Sequence, residues 1–114
     1  MSRIEMQKDQ VVLQAMKTIY KLLATPEAQA VVEKLIDNGK MRSTELMNSA
    51  KLTESQFHPL VRQLVKNLVL EKSVDQNRGV SYDISRFGKY VLEVNKQLLK
   101  EVKRLNLENS LVTP

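Results

Sequence analysis

The chain has 114 residues, 42% hydrophobic and 27% charged, with 18 Lys and Arg against 13 Asp and Glu, three Gly, three Pro, one His and no Cys. That length and composition predict one folded domain and exclude two independent cores or a disordered chain. Without Cys there is no disulfide framework, a lone His leaves any zinc site to carboxylates, and no apolar run approaches the roughly 20 residues of a membrane span. A cytoplasmic protein without metal or cofactor is expected.

The net charge of +5 is spread unevenly: residues 85–114 carry six basic and three acidic residues, whereas 1–40 and 41–84 each carry six and five. An excess of this size favours an anionic partner without deciding for one. From Gln7 to Leu23 the apolar residues Val11, Val12, Ala15, Met16, Ile19, Leu22 and Leu23 recur at helical spacing and predict a first amphipathic helix. Thr25 caps a second, with Pro26 at its first position, Ala30, Val31, Leu35 and Ile36 inward, and Asn38-Gly39 as the stop.

Ser43 is read as the cap of a two-turn helix to about Ala50, with Leu46 and Met47 inward. After a tight connection at Lys51-Leu52, Thr53 and Gln56 form a T-x-x-Q capping box opening a helix to about Asn67. Its apolar positions Phe57, Leu60, Val61, Leu64, Val65 and Leu68 leave Ser55, His58, Pro59, Arg62 and Lys66 on the other side. The period then falls to two, giving strands near Val69–Val74 and Val80–Ile84 around the hairpin loop Asp75-Gln76-Asn77-Arg78-Gly79. Ser85 caps a last helix to about Leu107, whose apolar arc of roughly 160° holds Phe87, Val91, Val94, Leu98, Leu99, Val102 and Leu105.

A short helix, a tight turn, a longer helix with a polar outer face and then a hairpin make a helix-turn-helix with a wing. The expected class is mainly α with a small β-hairpin wing (α+β), in one domain over 1–108. Its core spans about 24–88, terminal helices cover about 7–23 and 86–107, and 109–114 form a flexible tail. Residues 39–88 resemble the winged helix-turn-helix of small prokaryotic transcriptional regulators of the ArsR and MarR type. The resemblance rests on Leu46, on Phe57, Val61 and Leu64, on the step Val69-Leu70, and most specifically on Tyr82-Asp83-Ile84-Ser85-Arg86-Phe87-Gly88. Two departures are Leu68, where such proteins commonly have Gly, and Pro59 inside the second helix of the motif. The Cys-containing motif of the family's metal sensors is absent; the corresponding stretch reads TELMNSA.

The expected recognition face is Ser55, Gln56, His58, Pro59, Arg62, Gln63 and Lys66, a stretch without an acid. Arg and Gln have the bidentate geometry that reads base edges, and Lys66 suits a phosphate. Arg42, Ser43 and Thr44 at a helix start, with Lys72, Asn77 and Arg78 on the wing, are expected phosphate or wing contacts. A solvated helix face, an ordinary exposed turn and simple capping by Ser43 are the plainer alternatives. Val12, Met16, Ile19, Val91, Val94, Leu98, Val102 and Leu105 are expected to hold two copies together, because the last arc is wider than one neighbour covers.

No nucleophile, base, metal or cofactor constellation accompanies His58, so an enzyme is not expected. The leading expectation is a homodimer that binds double-stranded DNA at an inverted repeat and regulates transcription by occupying an operator. A DNA-binding adaptor in plasmid or phage partition with its own protein partner, an architectural chromatin protein, and a protein-interaction winged helix without a DNA role are the alternatives.

Overall fold

The computed structural model describes residues 3–112, and side chains from residue 9 to residue 106. The first helix, α1 (Arg3–Leu23), ends where Thr25 turns the chain into α2 (Pro26–Asn38), and the Thr25 Oγ1 accepts from the Ala28 N–H at 3.3 Å. Gly39 closes α2 at φ 74°, its N–H donating to the Leu35 carbonyl at 2.8 Å. Both ends follow the signals in the sequence.

A strand then intervenes that the hydropathy pattern does not reveal. Met41–Arg42 form β1 and pair antiparallel with a later strand, Met41 opposite Tyr82 and Arg42 opposite Ser81. Because Arg42 is extended and leads straight into α3 (Ser43–Ser49), Arg42 takes the cap position and no side chain caps this helix. The expected capping role of Ser43 is thereby corrected.

The capping box of α4 (Glu54–Lys66) forms as its spacing predicts: Thr53 Oγ1 accepts from the Gln56 N–H, and Gln56 Oε1 from the Thr53 N–H at 3.1 Å. The helix runs through Pro59 without a break, although that residue gives the Ser55 carbonyl no donor. Strands β2 (Leu70–Val74) and β3 (Val80–Ile84) form the hairpin, from Leu70 opposite Ile84 to Val74 opposite Val80. The sheet order is β1-β3-β2. Helix α5 (Arg86–Val112) runs past the expected end near Leu107, so the tail anticipated from residue 109 is helical through 112; residues 113 and 114 lie outside the described residues.

Phe57, Leu35, Leu46, Leu64, Val31, Val61 and Val69 are fully buried, so the core joins α2, α3, α4 and the base of the wing. The described residues form five helices with a three-stranded antiparallel sheet, a winged helix-turn-helix. Two residues expected inside are outside. Ile36 lies exposed near the end of α2, and Leu68 is 65% exposed.

Leu68 has a specific reason to be there. It sits at φ 65°, its N–H donating to the Val65 carbonyl and the Val69 N–H to the Leu64 carbonyl, which is the paired bonding that ends a helix with a left-handed residue. Left-handed backbone costs a side-chain-bearing residue about 1 to 2 kcal/mol, and glycine's extra unfolded-state freedom offsets about 0.5 to 1 of that. With little apolar area lost, Leu68→Gly is expected to stabilise the fold by roughly 0.5 to 1 kcal/mol, raising Tm by about 2 to 6 °C. A scanning-calorimetry comparison at one protein concentration checks this; a lower Tm would mean that the Leu68 side chain contributes packing that outweighs the strain.

Candidate nucleic-acid interface

The exposed face of α4 follows from its buried one. Burying Phe57, Val61 and Leu64 turns Ser55, Gln56, His58, Pro59, Arg62, Gln63 and Lys66 outward, and all seven are exposed. They do not form a single patch. Gln56 is held in the capping box, and Ser55 Oγ lies 3.1 Å from Thr53 Oγ1, so both belong to the first turn. Gln63 faces the opposite flank, lining a groove with Lys17 and Lys21 of α1. His58 and Arg62 face the wing, where they line a cleft of about 290 Å³ with Val61, Val65, Lys72 and Tyr82.

Lys72 and Tyr82 are direct cross-strand partners, so their side chains share the face of the sheet that α4 packs on. Tyr82 is 7% exposed, and its ring stands edge-on to Phe57, with centroids 6.1 Å apart. Burial raises the Tyr82 phenol above its usual pKa, and the charge of Arg62 pulls the other way. The sequence marks Tyr82 only as an alternating strand residue and part of the Tyr-x-Ile-Ser-x-x-Gly close; nothing in that pattern shows that it shares a cleft with Arg62.

The wing tip is organised by Asp75. Its Oδ1 accepts from the N–H groups of Gly79 at 2.7 Å and Asn77 at 2.9 Å, and its Oδ2 meets Arg42 Nη2 at 3.0 Å. The bond from Gly79 is the largest influence holding the Asp75 carboxyl below its usual pKa, with Asn77 and Arg42 acting the same way. Arg78 stands beside this turn at φ 62°. Arg42, Ser43, Thr44 and Arg78, expected separately from the sequence, line one groove with Glu45 and Asn48. Arg42 is thus tied to Asp75, whereas Arg62, Lys66, Lys72 and Arg78 have no carboxylate partner among the described residues. The sequence marked Asp75 only as part of the hairpin loop, although an Asp two residues ahead of Asn77 has the spacing of an Asx turn. Its pairing with Arg42 was not legible, because β1 brings Arg42 there.

The apolar positions expected between two copies divide into two groups. Ile19 and Val91 are buried in the protomer's own core, while Val12, Met16, Leu98, Val102 and Leu105 are exposed and Val94 is half-buried. Among the described residues, no group of three or more His, Asp or Glu side chains could hold a metal ion, and no helix is long and apolar enough to cross a membrane.

The sequence matches no protein-family model and no curated protein. Solved structures do resemble the fold. Diamide-treated YodB from B. subtilis superposes with a TM-score of 0.68 at 16% identity, over 77% of this chain and 89% of that one. NolR from Sinorhizobium fredii gives 0.66 at 15% identity, over 88% and 92%. A probable transcriptional regulator from Pseudomonas aeruginosa gives 0.60 at 22% identity, over 94% and 87%. At these identities the likeness is one of fold, and that fold is the small winged helix typical of ArsR-like and MarR-like transcriptional regulators.

Proposed function

We propose that this chain is a homodimeric, sequence-specific binder of double-stranded DNA that regulates transcription by occupying an operator. The observation that carries the reading is the set of exposed cations on the two elements of the winged motif: Arg62 and Lys66 on α4, with Lys72 and Arg78 on the wing, all without a carboxylate partner among the described residues. Cations unpaired within the protein and flanking a polar helix face are what a phosphate-lined groove demands. The solved structures of like fold, one of them described as a probable transcriptional regulator, support the same direction.

The dimer reading rests on the terminal helices. A 27-residue helix is about 40 Å long, and the chain's radius of gyration is 17.5 Å where a compact fold of this size has about 13 Å. Between α1 and α5 lies a cleft of about 420 Å³ lined by Val12, Met16, Ile19, Phe87, Tyr90 and Val94 among others. Farther along α5, Leu98, Val102 and Leu105 are exposed. Apolar surface of this extent is what a symmetric partner covers.

The test is salt. With Arg62, Lys66, Arg78 and helix-start contacts from both protomers on phosphates, log affinity for a duplex is expected to fall with log salt at a slope of about −4 to −8. Fluorescence anisotropy across a salt series measures it. Affinity that is absent, or flat between low and physiological salt, would exclude DNA and leave a protein-interaction role. Binding to one inverted repeat from the source genome separates an operator-binding regulator from an architectural protein.

A further inference from the structure

We propose that the cleft between α4 and the wing is a phosphate site in which the Tyr82 hydroxyl is a ligand, beside the Arg62 guanidinium and the Lys72 ammonium. It rests on the DNA reading for the source of the phosphate, a duplex backbone, but not for the site itself.

Three observations converge on it. The first is the state of the hydroxyl. Tyr82 is nearly buried, yet among the described residues its oxygen has no hydrogen-bond partner, and no buried side-chain oxygen or nitrogen among them lacks one. The oxygen is therefore reached from the cleft. A tyrosine whose ring is buried normally finds its hydroxyl a partner, and here that partner must come from outside.

The second is the company it keeps. The cleft is lined by Arg62, Lys72 and His58 over a floor of Val61 and Val65, with no carboxylate in its wall. Neither Arg62 nor Lys72 is paired elsewhere among the described residues. Two cations and a neutral O–H donor over apolar side chains suit an anion with several acceptor oxygens, because charge-assisted bonds strengthen where water is partly excluded. The phenol is protonated at neutral pH, as a donor to such an anion must be, and burial shifts its pKa further in that direction.

The third is that two elements, α4 and the wing, build the site together. Strand register sets Tyr82 and Lys72 opposite each other on one face, and the edge-on packing against Phe57 ties the tyrosine ring to α4. A phosphate held there would touch the recognition helix and the wing together and so fix the angle at which α4 enters a groove. Arg62 then contacts backbone rather than a base edge. Sequence reading is then left to other exposed residues of α4.

Tyr82→Phe removes the hydroxyl and keeps the ring, so Tm should be unchanged. Its affinity for specific and unrelated duplexes is expected to fall about five- to tenfold alike, with the salt slope unchanged because no charge is lost. Lys72→Gln, at an exposed position, is expected to reduce the slope by about 1 per protomer. A separate arm adds inorganic phosphate to the wild-type chain and follows the Tyr82 amide and Arg62 Nε–H signals by NMR; shifts that vanish in Tyr82→Phe support the site. If the wild type binds no duplex but shows those shifts, the DNA reading fails while the site stands for a free phosphorylated ligand. If Tyr82→Phe matches the wild type toward both duplex and inorganic phosphate, the proposal is overturned.

Discussion

Leu98→Glu is expected to give a folded monomer that has lost its specific affinity for DNA. Leu98 is 52% exposed on the protomer, so a carboxylate there buries no charge within a single chain and the winged core should survive, as circular dichroism can check. In the proposed dimer the same residue is covered by the second copy. A buried leucine is worth roughly 1.5 to 3 kcal/mol of transfer free energy, and two-fold symmetry applies each loss twice. Burying two unpaired carboxylates adds to this. A monomer reaches one half-site of an inverted repeat whose half-sites lie about one helical turn apart, and forfeits about half of the phosphate contacts. Its affinity should therefore approach the non-specific range, a Kd of about 10⁻⁴ to 10⁻⁶ M. Sedimentation and anisotropy decide it together. A wild-type chain that is already monomeric, or a Leu98→Glu chain that stays dimeric with full affinity, would refute this arrangement and leave the winged-helix fold untouched.

What the sequence disclosed and what it hid divide along a physical line. Signals that act within one or two turns were legible: Thr25-Pro26, Asn38-Gly39, the Thr53–Gln56 box and the change of period after Leu68 mark element ends that the structure reproduces. Features made by distant partners were not. Strand β1 has two residues, too few to display any period, and exists because Ser81 and Tyr82 lie beside it. Ser43 lost its cap role to that strand, and Arg42 gained Asp75 through it. Leu68 fits the apolar spacing of α4, but the left-handed turn that closes the helix swings its side chain outward. Of the expected interface residues, all seven on α4 reached the surface, but their division between two flanks depends on where α1 and the wing pack. The Tyr82 hydroxyl was the least accessible to pattern reading, since alternation places its ring inside and says nothing of where the oxygen ends.

Gly88→Ala is expected to destabilise the fold, with the opposite sign to the usual effect of that change in a helix. Alanine in a helix interior is normally favoured over glycine by about 1 kcal/mol. At Gly88, however, a Cβ would stand 2.2 Å from the Val69 carbonyl oxygen and 3.0 Å from Ile84 Cγ2. The obstacle is backbone, and it is pinned. The Ser85 N–H donates to that same Val69 oxygen at 3.0 Å, the Ser85 hydroxyl donates to the Leu68 carbonyl, and the Gly88 N–H donates to Ser85 Oγ at 2.8 Å. This knot is what the Tyr-x-Ile-Ser-x-x-Gly close builds: it caps α5 and docks its first turn on the strand entry in one step. Relieving the clash means moving α5 away from Val69 and stretching those bonds. Overpacking of this kind costs about 1 to 3 kcal/mol and occasionally more, and the loss of hydrogen-bond geometry adds to it. After the helix-propensity gain, a net loss of about 1 to 3 kcal/mol remains, a sizeable part of a typical stability of about 5 to 15 kcal/mol. Urea denaturation at fixed protein concentration should show a lower midpoint with little change in slope. Because the first turn of α5 sets the direction of the whole helix, the surviving folded fraction should also dimerise and bind DNA more weakly. A midpoint that rises would show that the turn has room to move, and that Gly88 is there for some reason other than its close approach to Val69.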